Sequence, residues 1–268
     1  MLKYTEDSRT IVFCFLSLAS YNYYWFNFKN NLIFLIVSLQ SFQMSVIVHN
    51  CAHTYPFKYT LLNDIFFIFL TLLSGSPTSL YVPGHNKSHH LHLETEKDMM
   101  RTTKMKYKNE FLNLVLFAPS VLPDIIKNER VYMLKQFEKR SKLFYKYLFE
   151  TVIYHAFLVT LCYLNLKKTI FVYFVPTLVA KYMIITLNIL QHYKCDPNSK
   201  FNHSRNFTGS FLNYFFFNNG FHTAHHISPG THWSLLIQKH EKIKENINPS
   251  LIKDNILTYI VSHHVLYY

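Results

Sequence analysis

The stretch FNNGFHTAHHISPG, residues 217–230, places His222, His225 and His226 within five positions in a chain rich in Phe, Leu and Ile. It is one of several such groups. HNCAH holds His49 and His53, HNKSHH holds His85, His89 and His90, and NILQHYKCD holds His192. Imidazole is the commonest metal-binding side chain, and it binds through a neutral ring nitrogen. On a helix, residues i and i+4 share one face about 6 Å apart along the axis, while adjacent residues diverge by about 100°. A helix carrying HxxxHH or HxxHH can therefore offer its adjacent histidines to two different ions. The nine residues His49, His53, His85, His89, His90, His192, His222, His225 and His226 are too many for one ion and suit two.

The remaining histidines have plainer readings. His155, His240, His263 and His264 are expected to be interfacial or hydrogen-bonded. His92, His203 and His232 lie close to the groups and are expected to support them, since a metal-bound imidazole needs a partner on its free nitrogen.

Imidazole alone suits Zn, Cu, Fe and Ni. The HExxH of a zinc protease is absent, because positions 50–52 are Asn-Cys-Ala, so no glutamate base accompanies His49 and His53. A two-metal centre facing an apolar interior points to oxygen chemistry on a hydrocarbon, and an unactivated C–H bond calls for redox iron.

The elements that must carry these residues are apolar. Of the 268 residues, 50% are hydrophobic and 16% charged, well below the usual quarter. A bilayer crossing needs about 20 apolar residues. Stretches at roughly 11–28, 31–49, 147–166 and 169–190 meet that length and pair through the short links KNN and NLKK into two hairpins. The expectation is an all-α, multi-span membrane helical bundle forming a single domain over 1–268, with a cytosolic histidine-rich cap. The first apolar stretch reads as a retained anchor, because no small-residue cleavage site follows it.

The stretch 60–82 is also apolar, but a full crossing would put the histidines before and after it on opposite faces. Two crossings need about 40 residues plus a turn, more than the chain between His53 and His85 provides. It is expected to be re-entrant, bent near Gly75 and Pro77. Residues 111–122 are expected to be interfacial, and 127–146 to form an amphipathic surface helix.

The formal charge is +12. Only Lys29, Lys167 and Lys168 fall in the far-side loops, with Lys181 inside a span. The positive-inside rule then puts both termini and all nine histidines on the cytosolic side. Lys and Arg between apolar stretches suit anionic lipid; with no recognition motif, no nucleic-acid partner is expected. The four cysteines are scattered and form no CxxC pair.

The order HNCAH, HNKSHH, HTAHH resembles the membrane fatty acid desaturase and hydroxylase superfamily, whose histidine boxes hold a non-haem di-iron centre. The resemblance covers about residues 30–235, and the run from Asn202 to Ser234 is most similar to bacterial fatty acid desaturases. NILQHYKCD resembles the Asn-x-x-x-His motif of the alkane-hydroxylase-like branch, which implies that His192 is the ninth ligand. His203 resembles a family histidine that is not a ligand. The resemblance implies an O2-dependent fatty acid (acyl lipid) desaturase with two Fe ions cycling between Fe2+ and Fe3+ and O2 as co-substrate. A hydroxylase of fatty acids, alkanes or carotenoids is the alternative, and a histidine-rich metal transporter a more distant one.

The sequence has neither His-Pro-Gly-Gly nor CxxC, so electrons are expected from a separate ferredoxin, rubredoxin or cytochrome b5-like donor. Lys87, Lys104, Lys106 and Lys108 could dock it, or could face lipid. Glu94, Asp98 and Asp196 are candidates for orienting imidazoles. The lack of a fused donor favours a bacterial cytoplasmic membrane over endoplasmic reticulum.

Overall fold

A computed structural model describes residues 1–266. The described residues are mostly helical. In order, the helices are α1 (Asp7–Phe26), α2 (Asn31–His53), α3 (Thr60–Ser74), α4 (Val82–His89, continued through His90–His92), α5 (Glu110–Glu138), α6 (Lys142–Lys168) and α7 (Val175–His192). After them come α8 (Ser210–Phe215), α9 (His222–Ile227), α10 (Leu236–Ile243) and α11 (Ile256–Ile260). Two short strands, β1 (Asn206–Phe207) and β2 (Ile252–Lys253), pair in parallel. The helices form two compact units. One holds Met1–Val82 with Glu129–Tyr182; the other holds Pro83–Asn128 and the chain from Met183 onward.

In the first unit, α2 starts on a cap. The Asn30 side chain accepts from the amides of Leu32 and Ile33 at 3.0 and 3.2 Å, satisfying donors that have no partner within the helix. Val37, Met44 and Ile47 bury one of its faces, and Ser41 is held by the Tyr21 hydroxyl of α1 at 2.6 Å. Among the described residues, Asn31–His53 and the 51-residue stretch Lys142–His192 are long and apolar enough to cross a bilayer.

That longer stretch is not straight. Asn165 is extended (φ −167°, ψ 99°), and its side chain accepts from Lys168 N at 2.9 Å. The Phe157 and Tyr173 rings then lie 5.4 Å apart, where a straight helix would hold them about 24 Å apart. The chain therefore doubles back, as the NLKK link predicts. The stretch 11–28, the first expected span, forms α1, where Ser17, Ser20 and Asn22 lower the apolarity below that of Asn31–His53 and Lys142–His192.

The bend expected near Gly75 and Pro77 is present. The chain turns by 91° between Thr60–Ser74 and Thr78–His92. Gly75 has φ 73°, and a Cβ there would sit 2.8 Å from the Thr177 side chain, so a larger residue is excluded twice over. Backbone freed by the bend is satisfied by protein, as an apolar setting requires. Lys181 Nζ donates to Gly75 O at 2.6 Å, and Tyr173 Oη to Leu72 O at 2.6 Å. Glu150 accepts from Thr78 Oγ1 and Ser79 N, both at 2.9 Å.

Residues 111–122 and 127–146 do not form two separate surface pieces. Residues 111–122 and 127–138 lie in α5, which runs through Pro119 and Pro123, and 142–146 open α6. α5 ends before Arg140 (φ 47°), and Ser141 caps α6 through Phe144 N at 3.2 Å.

The second unit packs around Phe117, Val121, Ile189, Phe207 and Tyr259. Gly220 lies against β1 so closely that a Cβ would come 2.0 Å from Phe207 O. This contact seats the turn that leads into α9.

Candidate metal centre

Three helices deliver histidines that lie in the second unit. α4 carries His85, His89 and His90, α7 ends on His192, and α9 carries His222, His225 and His226. α4 is wound as a π-helix, whose hydrogen bonds run to i+5 and not i+4. His85 therefore meets His90, with their Nε2 atoms 2.9 Å apart. His225 Nε2 lies 3.1 Å from His90 Nε2. These three form one group.

The second group is His89, His192, His222 and His226, whose ligand atoms all lie within 4.8 Å of one another. His222 Nε2 is 2.8 Å from His192 Nε2 and 3.1 Å from His226 Nε2. The adjacent pairs thus diverge: His89 and His226 join one group, His90 and His225 the other. The groups adjoin, with the His90 and His226 rings 4.4 Å apart.

In the first unit, His49 and His53 occupy the last turn of α2 with their rings 5.1 Å apart. His49 Nδ1 lies 3.1 Å from Asn50 Oδ1.

The proton inventory of the four-histidine group shows what it can hold. His192 Nδ1 lies 3.0 Å from the His203 carbonyl, which can only accept, so Nδ1 carries the proton. His89 Nδ1 lies 3.0 Å from Asp98 Oδ2, and both side chains are fully buried. In a ring whose one proton sits on Nδ1, Nε2 is a bare lone pair. His89 Nε2 has no hydrogen-bond partner among the described residues. His222 Nε2 faces two nitrogens and can offer a proton to only one. Burial, reinforced by the neighbouring histidines, lowers His226 well below the usual histidine range, so it too is neutral. Converging lone pairs in a dry site repel unless a cation lies among them, and neutral imidazoles anchored through their other nitrogen are good ligands for one.

Of the three candidate acids, Asp98 alone bonds one of the candidate imidazoles. Burial alone would raise its pKa, but the facing His89 and the amides of Glu94 and Met100 outweigh burial and lower it. Glu94 instead binds the Thr102 and Thr103 amides, and Asp196 binds Asn198 N at 3.0 Å.

His203 supports His192 through its backbone; its ring is 5.4 Å from that of His226, and burial lowers its pKa to about 4. His232 contacts Ser234 Oγ at 2.8 Å, and the His92 carbonyl accepts from Thr95. His155 lies 2.7 Å from the Thr151 carbonyl and His264 3.2 Å from that of Glu110, while His240 packs on Phe221. Lys104 is held by Asp124 and the Met99 carbonyl. Sequence reasoning did not anticipate the backbone anchor on His192, which arises only once His203 is brought against the end of α7.

No curated protein matches the chain. The sequence pattern of the fatty acid desaturase family matches residues 30–256, and these span every histidine of the site. The chain therefore belongs to the fatty acid desaturase family.

Proposed function

We propose that this membrane protein is an O2-dependent di-iron oxidoreductase that introduces a double bond into an acyl lipid. The observation that carries the reading is the convergence of imidazoles, two of them fixed through Nδ1 by Asp98 and the His203 carbonyl. Family membership supports desaturase- or hydroxylase-type chemistry.

His89, His192, His222 and His226 would hold one iron, and His85, His90 and His225 contribute to the other. His49 and His53 are assigned to the set from the resemblance of HNCAH. Bound there, the irons would supply the redox steps by which O2 is reduced and hydrogen is drawn from a methylene. The chain's own residues have simpler tasks. Asp98 keeps His89 in the Nδ1–H tautomer, and the His203 carbonyl does the same for His192. Burial of His89, His192, His222 and His225 excludes water, which protects a reactive centre from side reactions. The reaction consumes O2, two electrons and two protons, and it yields one alkene and two waters. The electrons come from a separate carrier of the ferredoxin, rubredoxin or cytochrome b5 type. A bacterial cytoplasmic membrane with both termini cytosolic remains part of this reading.

Lipid profiling of a host expressing the wild-type chain or His222→Ala tests the proposal. The expected result is a new unsaturated acyl chain that depends on His222. Added oxygen without a double bond would establish the hydroxylase instead. Purified protein that holds zinc and no iron would refute the di-iron assignment.

A further inference from the structure

The stretch His203–Asn206 is buried at every residue and bonded on two sides. Toward α7, the His203 carbonyl takes the His192 Nδ1 proton. Arg205 binds three carbonyls around that histidine: its amide reaches Gln191 O at 2.6 Å, Nη1 reaches Leu190 O at 2.6 Å and Nη2 reaches Tyr193 O at 3.2 Å. Toward α9, Asn206 Oδ1 accepts from Thr223 N at 3.0 Å, and Asn206 Nδ2 donates to Thr223 Oγ1 at 2.8 Å. Ser204 Oγ lies 2.9 Å from the same hydroxyl. One short strap thus grips the residues flanking His192 and the residue after His222, the two rings whose nitrogens meet at 2.8 Å. None of these bonds reaches His85, His90 or His225.

We propose that the strap His203–Asn206 is a positioning device for the four-histidine half of the centre, with Arg205 its main positioning residue. The inference rests on the metal reading of that site and deepens it. The last carbonyls of a helix have no partner within the helix. A guanidinium can bind two of them in one fixed plane, while a lysine ammonium, a single flexible point, cannot hold that geometry. The face of Arg205 also lies 4.4 Å over the Tyr259 ring, which fixes the plane further. A buried cation so near a bound metal ion opposes it by charge. What Arg205 contributes is therefore aim, with the end of α7 held so that His192 Nε2 points at His222.

The test uses full-length protein in detergent, stripped of metal and titrated with Co2+ alone under anaerobic conditions. Wild type is expected to take up two ions per chain. Arg205→Lys, or the isosteric Thr223→Val should the first variant fail to fold, is expected to weaken one binding step about 10–100-fold, the range for lost support of a metal ligand. The other step should stay within about threefold. Equal weakening of both steps would mean general loosening and would overturn the proposal, as would unchanged binding in both variants. Wild-type protein that binds no Co2+ would overturn the metal reading itself, and this inference with it.

Discussion

Asp98→Asn removes one charge and almost no volume from the support of His89, and its cost can be worked from the bonds. Asp98 Oδ2 faces His89 Nδ1 and Glu94 N, both at 3.0 Å, and Oδ1 faces Met100 N at 2.9 Å. All three partners are donors. An asparagine supplies one acceptor oxygen and an NH2 group that must face a donor whichever way the amide is turned. With the oxygen toward His89, the Met100 amide loses its acceptor, which costs about 1–3 kcal/mol in a buried setting. The bond to His89 survives but loses its charge assistance, roughly half its strength. Such changes typically weaken metal affinity about 10–100-fold, equal to about 1.4–2.7 kcal/mol. Competition with a ferrous chelator on anaerobic, purified protein measures this directly. Folded Asp98→Asn protein that holds iron as tightly as wild type would refute the role assigned to Asp98.

Other consequences are open to measurement. Burial, opposed only in part by Lys181, raises Glu129 to about 7. A carboxyl whose folded pKa exceeds its unfolded value stabilises below the unfolded pKa of about 4.5 and loses that contribution as pH rises through 7. Glu129→Gln should therefore raise the melting temperature at pH 8, by at most about 3 kcal/mol of stability, and change little at pH 5; an equal shift at both would refute the assignment. Gly75→Ala forces a side chain into φ 73° and against Thr177, and should cost on the order of 2 kcal/mol or more, read as a lower melting temperature. Stripping metal with a chelator should also lower the melting temperature. Ligand at a hundred times its dissociation constant contributes about 2.7 kcal/mol, and re-adding iron should restore it. His225→Ala should abolish product formation while leaving His89, His192, His222 and His226 able to bind one ion.

The histidines were legible because chemistry and spacing coincide. HTAHH puts His222 and His226 on one face and turns His225 away, and the helix α9 does this. The doubled-back hairpin at Asn165 and the bend at Gly75–Pro77 were legible too, from polar or helix-breaking residues inside apolar runs. α1 forms as a helix where the first apolar stretch stands, and its serines and asparagine leave it less apolar than α2. The stretches 111–122 and 127–146 read as separate pieces, but one helix runs from Glu110 to Glu138 through Pro119 and Pro123, with Leu114, Phe117 and Val121 packed in the core. Asp98 could be offered only as one of three acids. Nothing local distinguishes a carboxylate that bonds a ring from one that bonds the backbone, as Glu94 does. Arg205 gave no signal at all, since a lone arginine among polar residues normally lies in solvent.

The π-winding of α4 carries a consequence for how this protein tolerates change. Each such turn stores one residue more than an ordinary helical turn, and here the surplus decides which of two neighbouring rings looks left and which looks right. Deleting a single residue between His85 and His89, Asn86 for instance, would let the segment relax to tighter winding and rotate both rings out of alignment at once. Point substitutions there should be graded in effect, whereas loss of one residue should disarm both halves together.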